Sequence, residues 1–330
     1  MVREMITTEA PAKRPRIDSV YKGSPAETPT AKTGSNPLGY ACICTYLRKR
    51  GVFMSRTCRK KTIEEKGVSV IGQLALANCK DLLSILKWNE ANGIRFFRMS
   101  SDIIPWKTEY DIRLDPQWPD IQVALREAGE YARAHGHRLT FHPDHFVKLA
   151  SKDAAYAETS KRELEVHSLL FDEMGYTEAS PFNKINIHVG GAYGDKMGTL
   201  QRWSARYLEL SERCRARVTV ENDDRPNLFS VTDLMDLHKM CGVPVVFDFH
   251  HHKFCNGGIS AEEALDLAMT TWPVGVVPVV HWSESQEGRK PHAHSDYVTS
   301  IDCLGRRVDV MIEAKMKEAA LLQFLSQAVH

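Results

Sequence analysis

Metal-binding side chains recur in this chain directly after short apolar runs. His142, for example, follows Leu139-Thr140-Phe141. The six positions with this relation are His142, His188, Glu221, Asp248, His281 and Glu313. One histidine after a strand is usually a structural residue, but six such runs, each followed by a ligand type, favour a shared site. Imidazole and carboxylate together suit divalent ions of the manganese, zinc or iron type.

The number of these side chains exceeds what one ion needs. We therefore predict two or three ions about 3.5–4 Å apart, an arrangement that holds the attacking and leaving oxygens in phosphodiester hydrolysis. Asp248 is followed by His250, His251 and His252. Strand alternation favours His250 as the ligand, whereas a turn after Asp248 favours His251, and spacing alone leaves the choice open.

The apolar runs alternate with amphipathic stretches, which indicates strands and helices in a parallel α/β fold. The predicted strands are 39–44, 95–99, 138–141, 184–187, 217–220, 243–247, 276–280 and 308–312. The predicted helices are 72–91, 117–135, 155–174, 199–213, 230–240, 260–271 and 315–328, with no clear helix between Val280 and Val308. Eight strands predict a (β/α)8 TIM barrel, in which all the carboxyl ends of the strands meet on one face.

Length and composition fit one barrel domain with a tail. Of the 330 residues, a barrel takes about 250, so we predict a disordered tail over 1–36 and the barrel over 37–330. Lys13-Arg14-Pro15-Arg16 could be a nuclear import signal. The eight cysteines form no CxxC pair, and no run of 18 apolar residues occurs. We therefore expect a monomer with reduced thiols, in the nucleus or cytoplasm, without a membrane span.

Positive charge is concentrated in one segment, although the formal net charge is only +1. Between Arg48 and Lys61 lie seven basic residues and no acidic one. A solvated loop explains such a run, but so does a loop that contacts nucleic-acid phosphates. The predicted phosphate contacts are Arg48, Lys49, Arg50, Arg59 and Lys60.

Several motifs, taken together, resemble the UV damage endonucleases. They run in order from about residue 38 to 325: Leu38-Gly39-Tyr40-Ala41-Cys42, Phe97-Arg98-Met99-Ser100-Ser101-Asp102, His142-Pro143, Asn186-Ile187-His188-Val189-Gly190-Gly191, Glu221-Asn222-Asp223, Asp248-Phe249-His250-His251, His281-Trp282-Ser283 and Glu313-Ala314-Lys315. No single motif is specific, but their combined order and spacing are.

The resemblance implies a repair enzyme that nicks double-stranded DNA immediately 5′ to cyclobutane pyrimidine dimers and 6-4 photoproducts. It implies Mn²⁺ as the cofactor, with Mg²⁺, Co²⁺ or Zn²⁺ as alternatives. The implied metal ligands are His142, His188, Glu221, Asp248, His251, His281, His294 and Glu313, of which His188, Glu221, Asp248 and Glu313 would be catalytic. The resemblance thus selects His251, and it assigns Tyr40 to an aromatic that meets the lesion.

Four positions depart from the family pattern. Glu109 stands where the family usually has a histidine, and we expect it to bind metal as a carboxylate. Val279 replaces a lysine that the family carbamylates, and Cys44 replaces an asparagine. The usual Gly-Gln-Tyr after His-Pro is Asp144-His145-Phe146, in which His145 and Phe146 could still probe the duplex as flat side chains.

Three other functions remain open from the sequence. An abasic-site endonuclease could use the same barrel and metals. A metal-dependent sugar isomerase or epimerase could also use this barrel and its metals, but such an enzyme does not need a basic first loop. A non-catalytic damage-binding protein is a third possibility, because Val279 cannot bind a metal.

Overall fold

The computed structural model describes residues 36–286 and 288–327. Lys13–Arg16 and nearly all of the predicted tail lie outside these residues. The strands are β1 (Leu38–Ala41), β2 (Phe96–Met99), β3 (Arg138–Phe141), β4 (Ile185–His188), β5 (Val218–Glu221), β6 (Val245–Asp248), β7 (Val279–Trp282) and β8 (Asp309–Ile312). The helices are α1 (Thr45–Arg48), α2 (Lys60–Lys66), α3 (Ser69–Ala91), α4 (Trp118–Ala134), α5 (Ala154–Glu173), α6 (Lys196–Leu208), α7 (Glu212–Arg215), α8 (Val231–Cys241), α9 (Phe249–His252), α10 (Ala261–Thr270) and α11 (Glu318–Gln327).

The eight strands form a closed parallel barrel in chain order, with β8 pairing β1. This confirms the predicted TIM barrel, and every predicted strand overlaps an observed one. Residues 283–286 and 288–308 form no helix, as predicted for that connection. Strand register brings the metal-capable residues side by side: His188 is paired with Glu221, and Asp248 with His281.

Local sequence determines where the helices begin and end. Ser230 caps α8 and Ser260 caps α10, each in a capping box with an acidic residue three positions later. Such caps satisfy backbone N–H groups that lack partners in the first turn. Gly242 ends α8 in the left-handed conformation, with φ 74°, which glycine adopts without steric cost. The chain therefore turns toward β6 without strain.

Apolar side chains lie in the barrel interior directly beneath His281 and Glu313. Val279 and Met311 lie two residues before His281 and Glu313, so alternation places them on the same interior face, one layer deeper. There they pack with Phe96 in a small buried cluster. Gly39 belongs to this layer, since a Cβ there would lie 2.6 Å from the Phe96 carbonyl oxygen. This apolar layer packs beneath the polar side chains at the mouth of the barrel.

Helix α3 is the one described helix that is long and apolar enough, by length and composition, to be a candidate membrane span. Half of its most apolar window is buried within the protein. Its buried residues, among them Leu82, Ile85 and Leu86, belong to the main hydrophobic core. A core helix of a barrel passes the same test, so this property does not indicate a membrane.

Candidate metal centre

Glu221 is the point at which the predicted ligands converge. It ends β5 with 1% of its surface exposed. Its Oε2 lies 3.0 Å from His142 Nε2 and 3.9 Å from His188 Nε2. Its Oε1 lies 3.1 Å from His281 Nδ1 and 3.4 Å from His251 Nδ1. Each carboxylate oxygen therefore faces a different group of imidazoles.

Two donor triads share this carboxylate. His142, His188 and Glu221 offer ligand atoms that all lie within 4.8 Å of one another, and so do Glu221, Asp248 and His281. Glu313 joins the second group, since its Oε1 lies 3.2 Å from His281 Nδ1. The two groups could hold metal ions, and Glu221 is positioned to bridge two of them.

Two donor atoms of the second triad have no hydrogen-bond partner among the described residues, which is what a cation site would leave. His281 Nδ1 and Asp248 Oδ2 are buried and make no hydrogen bond, although carboxylate oxygens lie near the imidazole nitrogen. Buried polar atoms are rarely left unsatisfied in proteins. A divalent ion would satisfy both atoms, because neutral imidazole and carboxylate are preferred ligands. The residues present therefore fit a metal.

Protons balance the carboxylates in the metal-free protein. Burial would lower the pKa of His188, but Glu221 and Asp223 outweigh burial and raise it to about 10. Burial also opposes protonation of His251, yet Asp248 and Glu221 raise its pKa to about 9. Burial raises the pKa of Asp248 to about 7, with Glu221 and Glu313 adding to the effect. Protons on these two imidazoles thus balance part of the negative charge of the neighbouring carboxylates.

Metal affinity should therefore rise with pH. His188 and His251 are protonated at neutral pH, and each must lose its proton before its nitrogen binds an ion. We expect Mn²⁺ affinity to increase about tenfold per proton released for each unit between about pH 6.5 and pH 8.5. Calorimetric titration in two buffers of different ionisation enthalpy would count the protons. A pH-independent affinity with no proton release would contradict this charge balance.

The turn after Asp248 settles the arrangement of the three histidines. Asp248 Oδ1 accepts a hydrogen bond from the backbone N–H of His251 at 2.7 Å, which begins the short helix α9. The helical turn brings His251 to Glu221. His250 Nε2 instead lies 3.3 Å from the carbonyl oxygen of His292, and His252 packs its ring on Phe247.

Two other predicted ligands have different surroundings. His294 lies at the rim, where its Nδ1 is 3.9 Å from Glu313 Oε2 and 2.9 Å from the Glu313 carbonyl oxygen. Glu109 is exposed and accepts a hydrogen bond from the Thr108 hydroxyl, in a groove beside α5. The structure does not bring Glu109 into the cluster, and it therefore does not support the prediction that Glu109 replaces the family histidine as a ligand.

Sequence reasoning missed four residues that hold the ligands in place: Arg98, Lys184, Asn186 and Asp223. Arg98 pairs with the Glu313 carboxylate and Asn186 donates to Glu221. Lys184 is fully buried and crosses the barrel interior to lie 3.2 Å from His281 Nε2. Alternation was an available signal, since residues 184, 186 and 188 share one face of β4.

Lys184 positions His281 from the side opposite the carboxylates, and burial lowers the pKa of its ammonium to about 7. Changing Lys184→Met should therefore lower Mn²⁺ affinity about 10–100-fold, as loss of a ligand's supporting contact typically does. Stability should not fall, because methionine fills the same space without burying an amine. Mn²⁺ titration and thermal unfolding measure both effects.

The matched control is Lys161→Met, which removes a lysine that pairs with Glu158 and Glu209 on the outer face of α5. Its metal affinity should equal that of the wild type. Unchanged affinity in Lys184→Met would show that His281 needs no support from β4.

Comparison with known proteins agrees with the geometry. The family model described as "UV-endonuclease UvdE" matches residues 36–329, which is most of the chain and contains every residue of the cluster. This chain belongs to the UvdE family. A UV-damage endonuclease of Schizosaccharomyces pombe is 37% identical over 87% of this chain. A putative UV-damage endonuclease of Acanthamoeba polyphaga mimivirus is 31% identical over 87% of this chain and 89% of its own length.

The crystal structure of SacUVDE is similar to this UvdE-family chain, with a TM-score of 0.77 and 29% identity over 88% of this chain and 97% of that one. The chain spans about half the length of the first curated relatives that it matches, 49% of the S. pombe protein and 53% of one from Neurospora crassa. The family similarity thus covers the barrel and the cluster.

Tyr40 does not have the role that the resemblance to the UvdE family implied. It is fully buried between β1 and α3, its hydroxyl donates to Asn89 Oδ1 at 2.7 Å, and its ring packs on Phe97. The prediction that it meets the lesion is wrong for this structure, because no base can reach the ring. Cys44, also buried, packs in the same core.

The other two predicted probes of this UvdE-family chain are accessible. His145 and Phe146 are exposed on the loop after β3, with ring centroids 4.2 Å apart. Asp144 Oδ1 lies 2.5 Å from His145 Nδ1. His145 and Phe146 follow the predicted ligand His142 by three and four residues, so both exposed side chains lie on a loop that starts at the cluster.

The basic first loop contains one arginine that is bonded within the protein and several cations that are exposed to solvent. Arg56 is held inside the loop by Asp81 and by the Gly51 carbonyl oxygen. The five predicted phosphate contacts, Arg48, Lys49, Arg50, Arg59 and Lys60, are all exposed. Within the described part of the chain none of the five pairs with a carboxylate. Their charge is therefore available to an anionic partner.

Proposed function

We propose that this chain is a metal-dependent DNA repair endonuclease that cuts the phosphodiester backbone immediately 5′ to UV photoproducts. The observation that carries the proposal is the shared Glu221 carboxylate, which joins two donor triads at the mouth of a UvdE-family barrel. Two ions about 4 Å apart suit phosphodiester hydrolysis. We propose Mn²⁺ as the ion, since the donors are imidazoles and carboxylates without thiolate.

Bound divalent ions would supply a water of lowered pKa and would neutralise the charge of the leaving oxygen. The protein supplies their positions. Glu221 lies between the triads, Arg98 holds Glu313, and Lys184 holds His281. These groups are buried or half-buried and are held by hydrogen bonds and ion pairs to their neighbours, so little reorganisation is needed when charge develops on the phosphate.

The surface around the mouth supports a DNA substrate. The exposed cations of the first loop would bind phosphates, which gives position without sequence specificity. His145 and Phe146 would sense the lesion, because a damaged base costs less to unstack than an intact one. The basic loop also favours DNA over a free sugar as the substrate.

The test is nicking of UV-irradiated supercoiled plasmid with Mn²⁺, with and without a chelator. We expect relaxed plasmid only when damage and metal are both present. A labelled duplex with a single dimer would locate the cut, and a duplex with an abasic site, offered in competition, would measure preference. Equal nicking of undamaged plasmid, or no nicking at any Mn²⁺ concentration, would overturn the proposal.

A further inference from the structure

A second cationic surface lies on the loops that follow β3 and β4, beside the predicted ligands His142 and His188. We call it the Tyr193 surface and define it as Lys148, Lys152, Tyr193 and Arg202. Lys148 and Lys152 follow β3, in the loop that begins at His142, and Tyr193 lies five residues after His188. The two loops touch, because a Cβ at Gly190 would lie 3.1 Å from Lys148 Cγ.

Two cations of this surface lie close to the ring of Tyr193. Lys152 Nζ lies 5.5 Å and Arg202 Cζ 5.7 Å from the centroid of its ring. Arg202 is fixed from behind, where its Nη2 donates to Thr199 Oγ1 at 2.9 Å. The ring is 41% exposed, so it presents an aromatic face flanked by two cations.

The cations of the Tyr193 surface lack acidic partners, unlike those nearby. Among the described residues, Lys148, Lys152 and Arg202 form no ion pair. On the adjoining outer face of α5 most cations are paired: Lys107 with Glu163, Lys161 with Glu158 and Glu209, and Arg213 with Asp172, whereas Arg162 donates to the Thr159 hydroxyl. The Tyr193 surface thus carries uncompensated positive charge beside the mouth, where it attracts a polyanion.

Tyr193 also has an uncommon backbone conformation. Its φ is 53°, in the left-handed region, which is sterically unfavourable for a residue other than glycine. Its ring lies over Gly191, whose Cβ would be 3.5 Å from the ring. The loop therefore keeps an exposed aromatic in a strained position beside a metal ligand.

We propose that the Tyr193 surface binds backbone phosphates of duplex DNA at a part of the barrel rim separate from the first basic loop. This inference rests on the proposed function. The first basic loop follows β1, whereas the Tyr193 surface follows β3 and β4, so the two cationic surfaces lie at different points of the rim that surrounds the cluster. A duplex lying across the mouth would contact both, with the cleaved bond over the cluster.

The test is salt-dependent binding of an undamaged duplex, which is not a substrate for nicking, to the Mn²⁺-loaded protein. The variant is Lys148→Gln with Lys152→Gln. Loss of two phosphate contacts should make the slope of log affinity against log salt shallower by about two, and should weaken binding most at low salt. The control is Lys80→Gln with Lys87→Gln, two exposed lysines of α3 without acidic partners, which should bind as the wild type does.

An unchanged slope in the Lys148/Lys152 variant, with a steep slope in the wild type, would overturn this inference and leave the proposed function standing. A wild type that binds no duplex at low salt and nicks no irradiated plasmid would instead remove the proposed function, and this inference with it. Equal loss in both double variants would reduce the effect to general charge and would also overturn the inference.

Discussion

Changing Glu221→Gln should reduce nicking of damaged DNA about 1,000-fold or more, because metal-centred charge stabilisation amounts to several kcal/mol of the barrier. The amide keeps the shape of the side chain but removes the charge that both triads share. One of its two oxygens becomes an amide nitrogen, which cannot bind a metal. Single-turnover nicking and the number of Mn²⁺ ions bound per chain are the measurements.

A suitable control for this change is Glu90→Gln. Glu90 is also a carboxylate beside an imidazole, 2.9 Å from His137 Nε2, but it lies on α3 near the amino end of β2. It should keep full nicking and full metal content. If Glu221→Gln nicked as well as the control, Glu221 would have no part in catalysis.

Arg98→Met should lower the free energy of unfolding of the metal-free protein by about 3–5 kcal/mol, since it leaves a buried carboxylate without its partner. Arg98 pairs with Glu313, and burial would raise the pKa of that carboxyl had Arg98 and His281 not held it well below the usual range. Mn²⁺ should restore part of the loss, because an ion that binds only the folded state stabilises it. Urea unfolding with chelator and with Mn²⁺ measures both values.

Arg138→Met separates the loss of a buried ion pair from an effect on the metal centre. Arg138 begins β3 and pairs with Asp309 at 2.6 Å, at the end of the barrel away from the cluster. The Arg138→Met variant should also have a lower free energy of unfolding than the wild type. Mn²⁺ should restore none of that loss. Equal recovery in both variants would mean that Arg98 does not act on the metal centre.

The positions of the strands could be predicted because their signal is local. Each of the strands β3 to β8 is a short, mainly apolar run with a metal-capable side chain at or beside its carboxyl end, and the closed parallel barrel brings those ends together. His142, His188, Glu221 and His281 were found this way, and the structure gathers them within one cluster. No contact between strands had to be known in advance.

Features that depend on contacts between distant segments could not be predicted. Lys184 meets His281 only because β4 and β7 face each other across the interior, at a register that neither segment encodes alone. Tyr40 was misassigned because a four-residue strand buried on both faces gives no sign of which side chains point outward. The turn that selects His251 depends on the Asp248 cap, which alternation ignores.

The most direct test of the shared-ligand account is anomalous diffraction from a crystal of this protein with Mn²⁺. We expect at least two peaks about 3.5–4 Å apart, each bound by one oxygen of Glu221, with His142 and His188 around one and Asp248 and His281 around the other. A single peak outside this group, or peaks that Glu221 does not touch, would contradict the account.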